Sequence, residues 1–378
     1  MAQTARQLAD RIRARRNVLG LNQKALAELA GFSALQTISQ IEKGQRDVKA
    51  WELVRLAKAL RMSMTDLLAD TEPGSDPVVM WRNQPVEAHK DREETFLGRC
   101  RRYAHVANAV GTESHLPLPK VQADPTSFDW GHAQGLAHEV WQQLGLGTRP
   151  AVALIPILEE RYGIQIWYMD LGREGSAACV VGDFGAAILM NSSEAPWRRN
   201  FNLGHELFHI ITWGSFPPDK VQKDPGLEKQ MDRLANAFSS SLLLPAELVI
   251  PELDKRVSKR KISYADLIGL AREFDVSTEA LLWRLYTLKR LEKDIVEKLL
   301  ENDEFRDLDR ASMRGRWWDP SPLPERFVRL AFLAYQKGRL SRSRLAQYLE
   351  TSLPGLPAHL MEYGLDETAD YSTAVHTA

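Results

Sequence analysis

Residues 205–209 read His-Glu-Leu-Phe-His, two histidines four positions apart inside an apolar, helix-like run. On an α-helix, positions i and i+4 share a face, so both imidazoles reach one metal ion while Glu206, next to the first of them, points at its open side. The pattern therefore demands a helix with one face given over to a zinc ion. The flanking residues supply that helix. Residues 187–190 (Ala-Ile-Leu-Met) read as a buried strand, 191–193 (Asn-Ser-Ser) as a turn that can cap a helix, and 197–212 as the helix itself, ended by Gly214 and Pro217. Phe201, Leu207, Phe208, Ile210 and Ile211 surround the two histidines with apolar side chains, which favours a buried helix over a solvated histidine pair.

A catalytic zinc takes a third protein ligand and leaves its fourth position to water. Residues 227–244 have helical periodicity through Met231, Leu234, Ala235, Phe238 and Leu242, and they offer two acids on adjacent turns, Glu228 and Asp232. Spacing does not choose between the two. Either also suits an ordinary solvated acid in the first turns of a helix.

The run Asp232-Arg233-Leu234-Ala235-Asn236-Ala237-Phe238, leading into Leu242-Leu243-Leu244-Pro245, resembles the E-x-x-A-N-x-F-A and L-L-x-P signature that follows the HExxH helix in the ImmA/IrrE metallopeptidases. Arg199-Asn200-Phe201-Asn202-Leu203-Gly204-His205 resembles that family's approach to its motif, and the likeness covers roughly residues 130–288. It implies a gluzincin-like core with zinc on His205, His209 and Asp232, Glu206 as the catalytic base, and a partner helix-turn-helix repressor as substrate, cut after DNA damage or a related stress. Two departures stand out. Asp232 replaces the usual Glu, one methylene longer, and Ser239 replaces Ala.

The first seventy residues carry a second signal. Residues 21–31 (Leu-Asn-Gln-Lys-Ala-Leu-Ala-Glu-Leu-Ala-Gly), 37–44 and 53–60 resemble the Xre/Cro-type helix-turn-helix, which lays its second motif helix, here about residues 35–43, in the major groove. The segment has 12 Lys and Arg against 7 Asp and Glu, a surplus of five in a chain whose net charge is −1, so positive charge gathers where phosphates would be met. Gln23, Gln36, Thr37, Gln40, Lys43 and Arg46 are the candidate DNA contacts. Between Gly31 and Ile38 there is one residue more than the pattern usually has, and a protein-docking module without DNA is the competing reading. A helix-turn-helix ahead of such a peptidase most resembles the CapP-like branch found beside repressors in phage-defence operons.

At 378 residues, with 44% hydrophobic and 26% charged, the chain suits two or three globular domains. It has no secretory core and no run of eighteen apolar residues, so the expectation is a cytoplasmic protein with no membrane contact. The two cysteines are then expected as thiols. Residues 72–77 (Glu-Pro-Gly-Ser-Asp-Pro) read as a linker, and 91–110 as a helix whose apolar positions Phe96, Cys100, Tyr103, Ala107 and Val110 follow spacings of four and three. Domains are expected at 1–71 (helix-turn-helix, five helices), 72–129 (linker with the helix at about 91–110), 130–288 (zinc metallopeptidase) and 289–378 (helical C-terminal region). Strands are expected at 164–171, 177–182 and 186–190, giving a mainly α fold with a small β-sheet, α+β overall. Arg314-Gly315-Arg316-Trp317-Trp318 suits either base stacking or cover for a core.

Cys100, set among Arg99, Arg101 and Arg102, is a candidate inhibitory thiol for the open position of the zinc. The competing reading places it in the packed face of its own helix, and Cys179, in an apolar strand, reads as core. The function expected is a zinc endopeptidase acting on a neighbouring helix-turn-helix repressor. The alternative is a DNA-binding transcription regulator whose peptidase-like domain is a sensor with a structural zinc.

Overall fold

The structure is a computed structural model that describes residues 2–369, apart from 33, 61, 63, 65–66, 68–76, 84–88, 112–114, 120, 122–126 and 316. The chain divides into two compact units, Met1–Pro77 and Val78–Ala378.

The first unit is helical: α1 (Ala2–Val18), α2 (Gln23–Leu29), α3 (Leu35–Glu42) and α4 (Ala50–Ala59). The expected fifth helix falls on residues that lie mostly outside the described set. Asn22 starts α2 by accepting from the Ala25 N–H at 2.8 Å. Gly31, at φ +69°, turns the chain after α2, and the Phe32 N–H closes back on the Ala27 carbonyl at 2.8 Å. Ile38 and Ile41 enter a core with Ile12, Leu26, Leu56 and Leu60. Glu42 is buried at 1% exposure, and Arg16 neutralises it through bonds of 2.5 and 3.0 Å.

The second unit is built on one four-stranded sheet. Its strands are β1 (Met80–Arg82), β2 (Gln165–Met169), β3 (Ala177–Gly182) and β4 (Gly185–Asn191), in the order β1-β3-β4-β2. β3 and β4 form a hairpin, β1 adds antiparallel to β3, and β2 runs parallel to β4. Alternation along the strands makes two apolar faces. Ala177, Cys179, Ile188 and Met190 face one cluster; Ala178, Val180, Ala187 and Leu189 face the other.

Around the sheet lie α5 (His89–Val110), α6 (Trp130–Leu144), α7 (Pro150–Tyr162), α8 (Pro196–Thr212), α9 (Pro218–Val221), α10 (Pro225–Leu243), α11 (Ala246–Arg256), α12 (Tyr264–Glu273), α13 (Thr278–Thr287), α14 (Lys293–Glu301), α15 (Asp303–Ser312), α16 (Glu325–Gln336), α17 (Arg342–Tyr348) and α18 (Leu356–Glu362). The first face takes α6, α8 and α10, with Val296, Leu299 and Phe305 of α14 and α15 extending that cluster. The second takes α5 with α16 to α18, where Tyr103 stacks on Phe327 at 5.5 Å and receives a hydrogen bond from Arg326 at 2.7 Å.

Two segments expected as peripheral are thus built into the sheet's own unit. Part of the expected linker is an edge strand and a packed helix, because Val79, Phe96, Leu97, Tyr103 and Val106 bury their apolar side chains against the second face. Residues 72–76, also expected as linker, lie outside the described residues, as do residues 370–378. Among the described residues, no single helix is long and apolar enough to cross a membrane.

Candidate functional site

Helix α8 starts at Pro196, whose missing N–H costs nothing in the first turn. Its entry is held by Arg199, which donates to the Ser192 carbonyl at 2.9 Å and the Trp318 carbonyl at 2.6 Å, with the Trp318 ring 4.2 Å from the guanidinium. Trp317 and Trp318 are half-exposed and rest on Trp197 and Arg199 of α8, so they are not buried in a core.

Three turns on, His205, Glu206 and His209 are buried at 1, 1 and 8% exposure. The two Nε2 atoms lie 3.1 Å apart. Two imidazoles on one tetrahedral zinc, with bonds of about 2.0–2.1 Å, would place their nitrogens about 3.3 Å apart, so the pair already has the spacing of ligands.

The acid comes from α10, which Asp224 caps by accepting from the Gly226 and Leu227 N–H groups. α8 and α10 approach closely at Gly204 and Ser239: a Cβ on Gly204 would meet Ser239 Oγ at 2.6 Å. Ser239 donates to the Phe201 carbonyl at 2.7 Å, which is the use made of the hydroxyl that departs from the family pattern.

The contact brings Asp232 Oδ1 within 3.9 Å of His205 Nε2, whereas Glu228, a turn earlier, is exposed with no contact to the histidines among the described residues. Two ligands of one zinc would be about 3.4 Å apart. Asp232 therefore falls short by about half an ångström, its side chain 55% exposed on the open side. As they stand, no three His, Cys, Asp or Glu side chains among the described residues converge enough to hold an ion. The two histidines have the spacing of a ligand pair, and Asp232 is the acid that lies nearest them at 3.9 Å.

The network behind the pair decides its protonation. Asn236 Oδ1 receives Arg82 Nη2 at 3.1 Å and lies 3.1 Å from His205 Nδ1, while Asn236 Nδ2 donates to Asp232 Oδ2 at 3.1 Å. With the amide oriented by Arg82 and Asp232, His205 Nδ1 carries the proton and its Nε2 is a bare acceptor. Burial, with Arg82 nearby, pushes His205 well below the ordinary histidine value and His209 down to about 4, so both rings are neutral, as metal ligation requires.

Both carboxylate oxygens of Glu206 and Nδ1 of His209 are buried without a hydrogen-bond partner among the described residues. Burial pushes Glu206 up to about 7. The Cys179 thiol is near enough to pull against that rise, as Arg82 does, although it does not meet hydrogen-bond geometry with either oxygen.

The thiol beside the site is thus Cys179 and not Cys100. Cys100 is fully buried in the cluster on the other face of the sheet, and burial pushes its thiol up. Two of its neighbouring arginines are engaged by Glu350, Arg99 at 2.6 Å and Arg102 at 2.7 Å. With the sheet between them, Cys100 does not reach the histidines, which corrects the inhibitory-thiol expectation in favour of packing.

Arg82, Asn202 and Glu194 were not among the candidates. Arg82 donates to Asn202 Oδ1 at 2.7 Å, and Asn202 donates to Glu194 at 2.6 Å. Asn202 and Asn236 stand in the two quoted family segments, which was a usable signal; Arg82 stands in a segment read as linker, and no local pattern marks it.

In the first unit Gln36, Gln40 and Lys43 are exposed at i, i+4 and i+7 of α3 and its end, one outward face opposite Ile38 and Ile41; Thr37 is half-buried. Gln23 instead donates to Glu42 at 2.8 Å and Arg46 pairs with Glu52 at 2.7 Å, so both are engaged inside the unit.

A family model described as an IrrE N-terminal-like domain, Peptidase_M78, matches residues 159–286, and one described as a helix-turn-helix domain matches residues 7–70. The curated radiation response metalloprotease IrrE of Deinococcus deserti is 31% identical over 128 residues, which are 32% of this chain and 43% of that protein. The chain thus spans less than half the length of this relative. A solved structure described as a Mycobacterium tuberculosis transcriptional regulator aligns with a TM-score of 0.33 at 16% identity, covering 50% of this chain and 54% of that one. The chain joins an N-terminal helix-turn-helix domain to an IrrE-like domain of the Peptidase_M78 metallopeptidase family.

Proposed function

We propose that the chain is a zinc-dependent endopeptidase that cleaves a partner helix-turn-helix transcriptional repressor in response to DNA damage, phage or a related stress, targeted or regulated by its own helix-turn-helix domain. The observation that carries this reading is the Glu206 carboxyl, buried beside the paired imidazoles with neither oxygen hydrogen-bonded among the described residues. A buried carboxyl left without partners is costly, and such groups are found where a substrate or reactant completes them. A structural zinc would need a closed set of four ligands and would have no use for it.

His205, His209 and Asp232 are the residues that would hold the ion. Zinc, when bound, supplies Lewis-acid chemistry, acidifying a water and polarising a carbonyl. Glu206 takes a proton from the attacking water at a carboxylate oxygen and returns it to the nitrogen of the departing amine. Asn236 keeps His205 in the tautomer that leaves Nε2 free, and Phe208 packs edge-on against the His209 ring. The likeness to the Deinococcus radiation response metalloprotease supports both the chemistry and a stress setting. The outward face of α3 and the basic surplus of the first seventy residues support DNA contact there.

The test is incubation of the zinc-loaded full chain with the repressor encoded beside it, with and without a chelator, alongside Glu206→Gln. Wild type should cut the repressor only without chelator. Glu206→Gln should keep its zinc and lose cleavage by about 10²- to 10⁴-fold. Failure of the zinc-loaded wild type to cut, or equal cutting by Glu206→Gln, rejects the reading; a zinc-loaded chain that binds DNA and leaves the repressor whole points instead to a regulator with a structural zinc.

A further inference from the structure

We propose that Arg82, acting through the Asn236 amide, is a positioning residue that fixes the His205 tautomer and so presents Nε2 to the metal. The inference rests on the metallopeptidase reading and names a part of that site no motif contains.

An Asn side chain offers an oxygen and an NH₂ of nearly equal size, so on its own it can turn either end toward an imidazole. With the oxygen toward His205, Nδ1 must carry the proton and Nε2 is free to bind; with the NH₂ toward it, Nδ1 must accept and the proton moves to Nε2, which blocks ligation. Arg82 settles the choice, since Nη2 donates to Asn236 Oδ1 at 3.1 Å and a guanidinium has no acceptor to offer an NH₂. Asp232 Oδ2, receiving Asn236 Nδ2 at 3.1 Å, agrees from the other end. One guanidinium thereby sets the ring orientation of a ligand on α8 and steadies the acid on α10.

Arg82 is itself held firmly. Its Nη1 donates to Asn202 Oδ1 at 2.7 Å, Asn202 Nδ2 donates to Glu194 Oε2 at 2.6 Å, and Glu194 Oε1 receives Ser176 Oγ at 3.1 Å. Its backbone belongs to β1, paired with Ala177 of β3, and Asn83 turns the chain away just after it at φ +55°. The guanidinium lies over the Phe201 ring at 5.5 Å. A forked, planar group joining two amides from two helices is work that a lysine, with a single ammonium, does not do.

The test is a mutant cycle read by zinc affinity, through competition with a chromophoric chelator, and by ¹⁵N shifts of the histidine rings in zinc-free protein. Arg82→Gln and Asn236→Ala should each weaken zinc by about 10- to 100-fold, the range seen when partners behind metal ligands are removed. The double variant should be no weaker than the worse single one, because both act along one path. In zinc-free wild type the His205 ring should be protonated at Nδ1, and Arg82→Gln should shift it toward a mixture; a merely structural arginine would lower the melting temperature without moving that signal.

Unchanged zinc affinity and tautomer in a folded Arg82→Gln chain, or losses that add in the double variant, would overturn the proposal. Should Arg82→Gln not fold, Arg82→Lys takes its place with the same readouts. Wild type that binds no zinc would reject the metallopeptidase reading, while the zinc-free tautomer signal would still decide the role of Arg82.

Discussion

Helices α8 and α10 meet across the candidate site and bring opposite kinds of side chain to it. His205, Glu206 and His209 on α8 are buried with directions fixed by packing on both sides, whereas Asp232 on α10 is 55% exposed and held by a hydrogen bond from Asn236. A buried side chain sits where its neighbours leave room, so the 3.1 Å spacing of the two nitrogens is present without an ion. An exposed aspartate has several rotamers of similar energy, and an ion would select among them. One wall of the site is preset and the other is adjustable.

That contrast can be broken most directly at the acid. Asp232→Ala should weaken zinc by at least about 100-fold, beyond the effect of losing a partner behind a ligand, while Glu228→Ala leaves affinity unchanged. The reverse pattern in a chelator competition would transfer the role to Glu228. Asp232→Glu, longer by one methylene, should close the half-ångström shortfall and bind zinc at least as tightly as wild type; a weaker site would mean that α10 moves toward α8 when the ion binds.

The separation of the two walls is set at Gly204. A helix-interior glycine costs about 1 kcal/mol relative to alanine, yet here a Cβ would press on Ser239 Oγ at 2.6 Å and Ser239 Cβ at 3.2 Å. Gly204→Ala should therefore lower stability by about 1–3 kcal/mol, through overpacking that outweighs the better helix propensity, and weaken zinc as well. A raised melting temperature with full zinc affinity would show that the close approach does not matter.

The two cysteines sharpen the comparison from the sheet's two faces. Cys100→Ala should cost about 1–2 kcal/mol of stability from lost packing and leave cleavage unchanged. Cys179→Ala should alter cleavage, because its thiol lies beside Glu206. Higher basal cleavage in Cys100→Ala would overturn the assignment of the two faces.

The smallest effect is expected in the first unit, where the side chains offered to a partner are all exposed. Lys43→Ala should weaken binding to duplex DNA of any sequence and lower the slope of log affinity against log salt by about 1. An unchanged slope would remove Lys43 from the phosphate contacts.

Much of the site was legible because a helix converts spacing into direction. The five residues at 205–209 and the apolar positions around them announced a buried helix with two imidazoles on one face, and the strands expected at 177–182 and 186–190 from short apolar runs are found at 177–182 and 185–191. Cys100 shows the limit of local charge as a guide. Arg99, Arg101 and Arg102 argued for a reactive thiol, but Glu350, some 250 positions away in sequence, takes up two of them, and the helix face that holds Cys100 turns to the far side of the sheet.

By itself the sequence determined the helix that carries the histidines, the position of Glu206, the proposed general base, one residue from the first of them, and the two domain types, since each depends on periodicities within a few turns. Only the tertiary structure decided which acid faces the pair, which cysteine adjoins it, and that Arg82 reaches it from an edge strand. Those outcomes rest on contacts between residues 27 to 154 positions apart, the spans from His205 to Asp232 and from Arg82 to Asn236. Such contacts form only once Gly204 and Ser239 let two helices close on each other and the sheet separates its two faces.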